Sequence, residues 1–186
     1  VKAVTRAVSR RAMRAVVPVG GRLGAFCMRA ARAPGGREIV ATDVMDGVLA
    51  KALEIGADRA INVATNSEKL AAYNVDKGTF DVMFEASGNE RAVRAGLDVL
   101  KPRGVLVQLG LGGDVSLPQN LIVAKEIEMR GSFRFHEEFA LAVDLINSRR
   151  VDVKPLLTGV YPLDQAVAAF EIAGDRSKSI KVQIAF

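Results

Sequence analysis

Val19-Gly20-Gly21-Arg22-Leu23-Gly24 is the stretch on which the fold turns. The short apolar run Ala15-Val16-Val17 precedes it. After it, Leu23, Phe26, Cys27 and Ala30 recur at i, i+3, i+4 and i+7, a helical period that continues to Ala33. A strand, a glycine turn and a helix in that order present unpaired helix N–H groups to an anion. A dinucleotide-binding turn asks for Gly-x-Gly-x-x-Gly. Gly21 and Gly24 fill its second and third glycine positions, where the backbone approaches a pyrophosphate and the helix packs close to the strand. Val19 takes the first position, and a β-branched residue resists positive φ. This departure either weakens binding or moves the turn onto Gly20, with Arg22 as an added phosphate contact. An ordinary glycine turn is the other reading of the same six residues.

The pattern repeats outward from this stretch. Glu38 to Thr42 forms a second apolar strand that ends at Asp43, 19 residues after Gly24. An acid near that spacing accepts hydrogen bonds from the adenosine ribose, and its charge repels a 2′-phosphate. Asp43 therefore reads as a ribose ligand favouring NAD over NADP, or else as a helix cap or turn residue. Helices are expected over Asp46 to Ile55, Ser67 to Tyr73 and Asn89 to Leu100. Strands are expected over Arg59 to Val63, Phe80 to Glu85, Gly104 to Leu109 and Glu126 to Phe133. Strand and helix alternate, so the class is α/β: a doubly wound, parallel, six-stranded sheet of the Rossmann type. The tail departs from this rhythm. It carries a helix over Glu137 to Asn147, a connection over Arg149 to Thr158, a helix capped by Asp164 with Val167 and Phe170 inward, and a terminal strand over Ile180 to Phe186. The divisions expected are 1–10, 11–135 for the dinucleotide-binding domain, and 136–186 for a C-terminal appendage.

Composition narrows the function. With 186 residues, one domain or one with an appendage is expected. Hydrophobic residues make up 49%, too many for a disordered chain. One cysteine excludes a disulfide framework, and Cys27 and His136 alone cannot build a Cys- and His-based zinc site. Cys27 sits on the inner face of the first long helix and reads as core, and His136 as surface. No apolar run is long enough for a transmembrane helix, and a cytoplasmic location is expected. The first 37 residues hold nine basic and no acidic side chains. Four readings are open for them: a nucleic-acid arm, a transit peptide, a phosphate site or solvated surface. The lack of interleaved aromatics weighs against nucleic acid. The chain starts at Val1, so it is expected to be a piece of something longer.

Four segments complete the reading: Phe84-Glu85-Ala86-Ser87-Gly88-Asn89, Val107-Gln108-Leu109-Gly110-Leu111-Gly112-Gly113, Arg130-Gly131-Ser132-Phe133-Arg134-Phe135 and Lys178-Ser179-Ile180-Lys181-Val182-Gln183. Together they resemble the zinc-type medium-chain alcohol and polyol dehydrogenases, from about Val4 to Phe186. Gly-Ser-Phe-Arg-Phe and Ala173-Gly174-Asp175 point to the polyol branch. The resemblance implies Gly21, Leu23 and Gly24 along the pyrophosphate and Asp43 on the ribose. It implies Ser87 and Gly88 beside the cofactor, and Leu109, Gly110 and Leu111 on the nicotinamide side. Phe133 would lie near the carboxamide, Arg134 would orient the polyol, and Lys181 would reach the pyrophosphate. The implied cofactor is NAD, with NADP second, and the implied substrate is a polyol or sugar acid.

The family also uses zinc, but its ligands belong to a half that this chain does not carry. Family members are roughly twice this length, about what two domains need. Lys2 to Ser9 resembles the last helix of that missing half. No catalytic or metal-binding residue is therefore assigned here, and the chain alone is expected to be inactive and poorly soluble. A homodimer through the sheet edge is expected, and neither a nucleic acid nor a membrane partner is. The competing hypothesis is a stand-alone nucleotide-binding or interaction module without catalysis.

Overall fold

Ala15, Val16 and Val17 form the buried middle of β1 (Arg14–Pro18), and it runs through the middle of a parallel sheet because both of its faces must be covered. The computed structural model describes residues 2–6, 12–33 and 35–186. β2 (Glu38–Asp43) and β4 (Phe80–Glu85) flank β1. Beyond them lie β3 (Arg59–Asn62) on one side, and β5 (Leu100–Gln108) and β6 (Glu128–Gly131) on the other. The order is β3-β2-β1-β4-β5-β6, so the winding direction reverses between β1 and β4. The expected sheet is observed.

Alternate strand residues feed two cores. On one face, Val17, Ile39, Ala41, Phe84 and Val107 pack with Met28 and Ala31 of α2 (Arg22–Arg32) and with Val48, Leu49 and Ala52 of α3 (Asp46–Glu54). On the other, Val16, Val40, Met83 and Leu106 pack with Leu70 of α4 (Ser67–Ala71) and with Val93 and Leu97 of α5 (Glu90–Val99). Asn89 caps α5 through its side-chain oxygen, which accepts from Arg91 N and Ala92 N. At the far end of α5 the buried Lys125 ammonium donates to the carbonyls of Leu97, Asp98 and Leu100, at 3.0, 2.7 and 2.9 Å. Burial pushes that ammonium below its ordinary pKa.

Helix α1 (Lys2–Arg6) covers part of the segment expected to be helical, and the rest, with the boundary expected at residue 10, lies outside the described residues. Several expectations need correction. Leu23 and Phe26 are exposed, because α2 turns Gly24, Ala25, Cys27, Met28, Ala30 and Ala31 inward instead. A short helix, α6 (Gln119–Ala124), occupies a stretch with no assignment from sequence.

In the tail, α7 (Glu138–Asn147) forms as expected. The supposed connection runs into a strand, β7 (Leu157–Pro162), which pairs in parallel with β8 (Lys181–Ala185) as a separate two-stranded sheet. Asp164 lies in a 3₁₀ turn (Leu163–Gln165), and α8 (Ala166–Gly174) begins after it. Val167 and Phe170 face outward at 74% and 73% exposure, with Ala169 as the buried residue of α8. The tail is nevertheless anchored to the sheet: Leu156 and Ile180 join the α2/α3 core, and Arg29 Nε donates to Asp152 O at 2.8 Å.

Candidate functional site

The C-terminal ends of β1, β2, β4 and β5 meet at the reversal point of the sheet, where ligands of open α/β folds bind. Val19 stays out of the turn. It is buried, and its N–H donates to Thr42 O at 2.9 Å. The turn is made by Gly20 at φ +56° and Gly21 at φ +106°. A Cβ on Gly20 would stand 2.5 Å from Ala86 O, so the loop after β1 lies backbone to backbone on the loop after β4. A Cβ on Gly24 would stand 2.2 Å from Val19 O, which is the close helix–strand contact that the third glycine permits. Around Gly21, by contrast, nothing lies within 4 Å of such an atom. The first bond of α2 runs from Ala25 N–H to Gly21 O, so Arg22, Leu23 and Gly24 have no helical carbonyl ahead of them to accept their N–H groups. Arg22 and Leu23 are exposed at this end.

A buried carboxylate holds the neighbouring loops. Glu85, fully buried at the end of β4, accepts from the Ser87 hydroxyl, from Ser87 N at 2.9 Å and from Gly88 N at 2.9 Å. Gln108 Nε2 at the end of β5 donates to it at 2.7 Å and to Gly110 O at 2.9 Å. A Cβ on Gly110 would stand 2.1 Å from Gly88 N. Ser87, Gly88, Leu109 and Gly110 are thus one assembly, with Leu111 exposed at its rim.

Asp43 closes β2 beside the glycine turn, its predecessor Thr42 being the acceptor for Val19. Its Oδ1 accepts from Val44 N at 2.8 Å and Met45 N at 3.1 Å. Asp43 is thus a turn residue ahead of α3, whose N-cap is Met45, and its Oδ2 is turned elsewhere: Arg176 Nη2 lies 3.2 Å away. Sequence reasoning missed Arg176, Glu85 and Gln108. The local signal for Arg176 was Asp175-Arg176-Ser177-Lys178, a turn in which Asp175 accepts from Ser177 N at 2.9 Å and Ser177 Oγ at 2.6 Å.

The other assigned residues are more scattered. Phe133 and Arg134 follow β6 and are exposed, with the guanidinium 5.0 Å from the Phe133 ring centroid. Lys181 is exposed at the start of β8, where its carbonyl accepts from Thr158 Oγ1. Part of the N-terminal basic segment is absorbed by the fold. Arg14 pairs with Glu38, Arg29 with Asp152 and Arg32 with Asp58. A separate open cleft of about 610 Å³, lined by Arg59, Lys69 and Tyr73, sits where β3 begins, the wrong end of a strand for this kind of ligand.

These residues fit a dinucleotide: an open glycine under a helix N-terminus and an acid at the end of the adjacent strand. They do not fit zinc. Cys27 is buried and its thiol is pushed up to about 12 by burial, whereas His136 is exposed. Among the described residues no group of three or more His, Cys, Asp or Glu could hold a metal ion, and no helix is long and apolar enough to cross a membrane.

The family profile described as zinc-binding dehydrogenase matches residues 23–148. L-idonate 5-dehydrogenase (NAD(P)(+)) of Escherichia coli strain K-12 is 37% identical over 167 residues, 89% of this chain and 48% of that protein. Sorbitol dehydrogenase of Bos taurus is 32% identical over 168 residues, 88% of this chain and 47% of that one. The crystal structure of the Escherichia coli L-idonate 5-dehydrogenase superposes with a TM-score of 0.90 at 35% identity, covering 100% of this chain and 53% of that one. The chain spans about half the length of the curated relatives it matches.

Proposed function

Because this chain belongs to the zinc-binding dehydrogenase family, we propose that it is the cofactor-binding portion of an L-idonate 5-dehydrogenase-like polyol oxidoreductase. The bound nicotinamide would exchange hydride with a secondary alcohol; the protein's task is to hold and orient it. The Gly20–Gly21 turn and the first N–H groups of α2 receive the pyrophosphate. Asp43 Oδ2 accepts from the adenosine ribose of NAD, a contact that on its own favours NAD over NADP. Glu85 fixes the Ser87–Gly88 and Leu109–Leu111 loops on which the nicotinamide end rests. Phe133 and Arg134 border that end, and Arg134 is assigned the polyol or sugar acid. Lys181 is assigned a pyrophosphate contact from the appendage.

The single observation that supports this reading is the pair formed by an open Gly21 and the neighbouring Asp43 at the reversal point of the sheet. Calorimetric titration of the 186-residue chain with NAD+ tests it. Micromolar to millimolar binding is expected, and loss of that binding in Gly21→Val, because a side chain there enters the phosphate space. Absence of binding to the unaltered chain would overturn it.

The acid chemistry of the family has no residues in this chain, so L-idonate oxidation by the chain alone should be undetectable with zinc added. Measurable turnover would refute that assignment. The edge strand β6, with Met129 exposed, is the proposed homodimer seam. A monomer in sedimentation at high concentration would refute it.

A further inference from the structure

Arg176 reaches Asp43 across 133 residues of sequence, with Nη2 at 3.4 Å from Oδ1 and 3.2 Å from Oδ2. The partners differ sharply in access: the Asp43 side chain is 5% exposed, that of Arg176 49%. An ion pair this open on one side adds little stability, so its position calls for another explanation. That position is built. Asp175 and Ser177 lock the turn around Arg176, Lys178 Nζ lies 3.2 Å from Asp175, and the Ser177 carbonyl and Cβ would lie 3.5 and 3.6 Å from a Cβ on Gly47, at the start of α3. The turn is thereby seated over the β2–α3 junction, where Asp43, Val44 and Met45 lie. The other acid of that junction, Asp46, is occupied by Asn62 Nδ2 at 2.7 Å.

We propose that Arg176 sets the coenzyme choice of this site, cancelling the charge of Asp43 and receiving the 2′-phosphate of NADP, so that the pocket takes both coenzymes. This rests on the reading of Asp43 as the ribose ligand. An unpartnered carboxylate at that position would repel the phosphate; a guanidinium beside it supplies a planar fork of donors suited to phosphate. Among the described residues Asp43 engages only Nη2 of that fork. NAD is not excluded, because Oδ2 carries a second lone pair for a ribose hydroxyl while Arg176 stays in place.

The test is titration calorimetry of the 186-residue chain with NAD+ and with NADP+, the fold of each variant being checked by circular dichroism. Arg176→Ala should weaken NADP+ at least tenfold and NAD+ less than threefold. Arg176→Lys should fall between, keeping the charge and losing the fork. Asp43→Asn should act in the opposite sense, weakening NAD+ and tightening NADP+. If Arg176→Ala shifts both coenzymes equally, or neither, while Asp43→Asn still weakens NAD+, the inference fails and the ribose assignment stands. If neither coenzyme binds the unaltered chain, the inference and the site assignment fail together.

Discussion

Glu85 illustrates how much a single residue can organise. It is a fully buried carboxylate whose partners are all donors: two backbone N–H groups, a hydroxyl and an amide. Removing it takes the shared acceptor from four donors that are partly buried or, at Ser87, exposed, and unties the loops they belong to. Glu85→Ala should therefore destabilise the domain by about 1–2 kcal/mol, read as a lowered midpoint in urea, and NAD+ affinity should fall with it. A variant as stable as the parent would show that water replaces the carboxylate at these loops without loss. The sequence displayed Glu85 in plain view at the end of an apolar strand, but its role depends on three loops meeting. Gly24 was legible because spacing alone assigns it, and Asp43 because it ends a strand at a telling distance. Arg176 was not legible: its partner lies in another part of the chain, and no local period links them.

At the scale of elements, the inner strands could be read because both faces are buried and their residues are continuously apolar. α2 misled on one point. The apolar period starting at Leu23 and Phe26 puts both on the wrong face: Gly24, Ala25, Cys27 and Met28 pack inward, and Leu23 and Phe26 stay exposed. β7 was missed because Gly159 and Pro162 interrupt its alternation and its partner β8 lies about twenty residues on. The turn that presents Arg176 yields a pH prediction. The Ser177 hydroxyl, Lys178 and the Ser177 N–H hold the Asp175 carboxyl down, to about 2 from the ordinary 3.8. A depressed carboxyl supports the fold above its unfolded value and stops doing so as pH falls through the folded one. The turn should thus persist at pH 4 and open between 3.8 and about 2. The carboxyl carbon of Asp175, followed by NMR, should still report the ionised form at pH 3. Asp175→Ala should speed hydrogen exchange at Ser177 N–H several-fold at neutral pH. Titration near 3.8 would show that the turn is not formed in solution.

At the scale of the whole molecule, two sets of exposed groups bear on the proposed self-association. One is the edge of the sheet at β6, where backbone groups seek a partner strand. The other is apolar: Val167 and Phe170 stand exposed on α8, and Phe135, Phe139, Val143 and Ile146 lie exposed on and just before α7. Exposed apolar groups of this size drive association in proportion to the area they cover. Phe170 is 73% exposed and lies outside both cores, so changing it leaves the sheet untouched. Phe170→Glu should weaken concentration-dependent association at least about tenfold, the equivalent of leaving one aromatic ring in water, while the urea midpoint and NAD+ binding stay at parental values. Light scattering over a concentration series reads the first quantity. If association persists unchanged, the edge of β6 is the dominant seam, and a charge at Met129 should disrupt it instead. If the urea midpoint falls by more than about 1 kcal/mol, α8 is packed more tightly than its exposure implies.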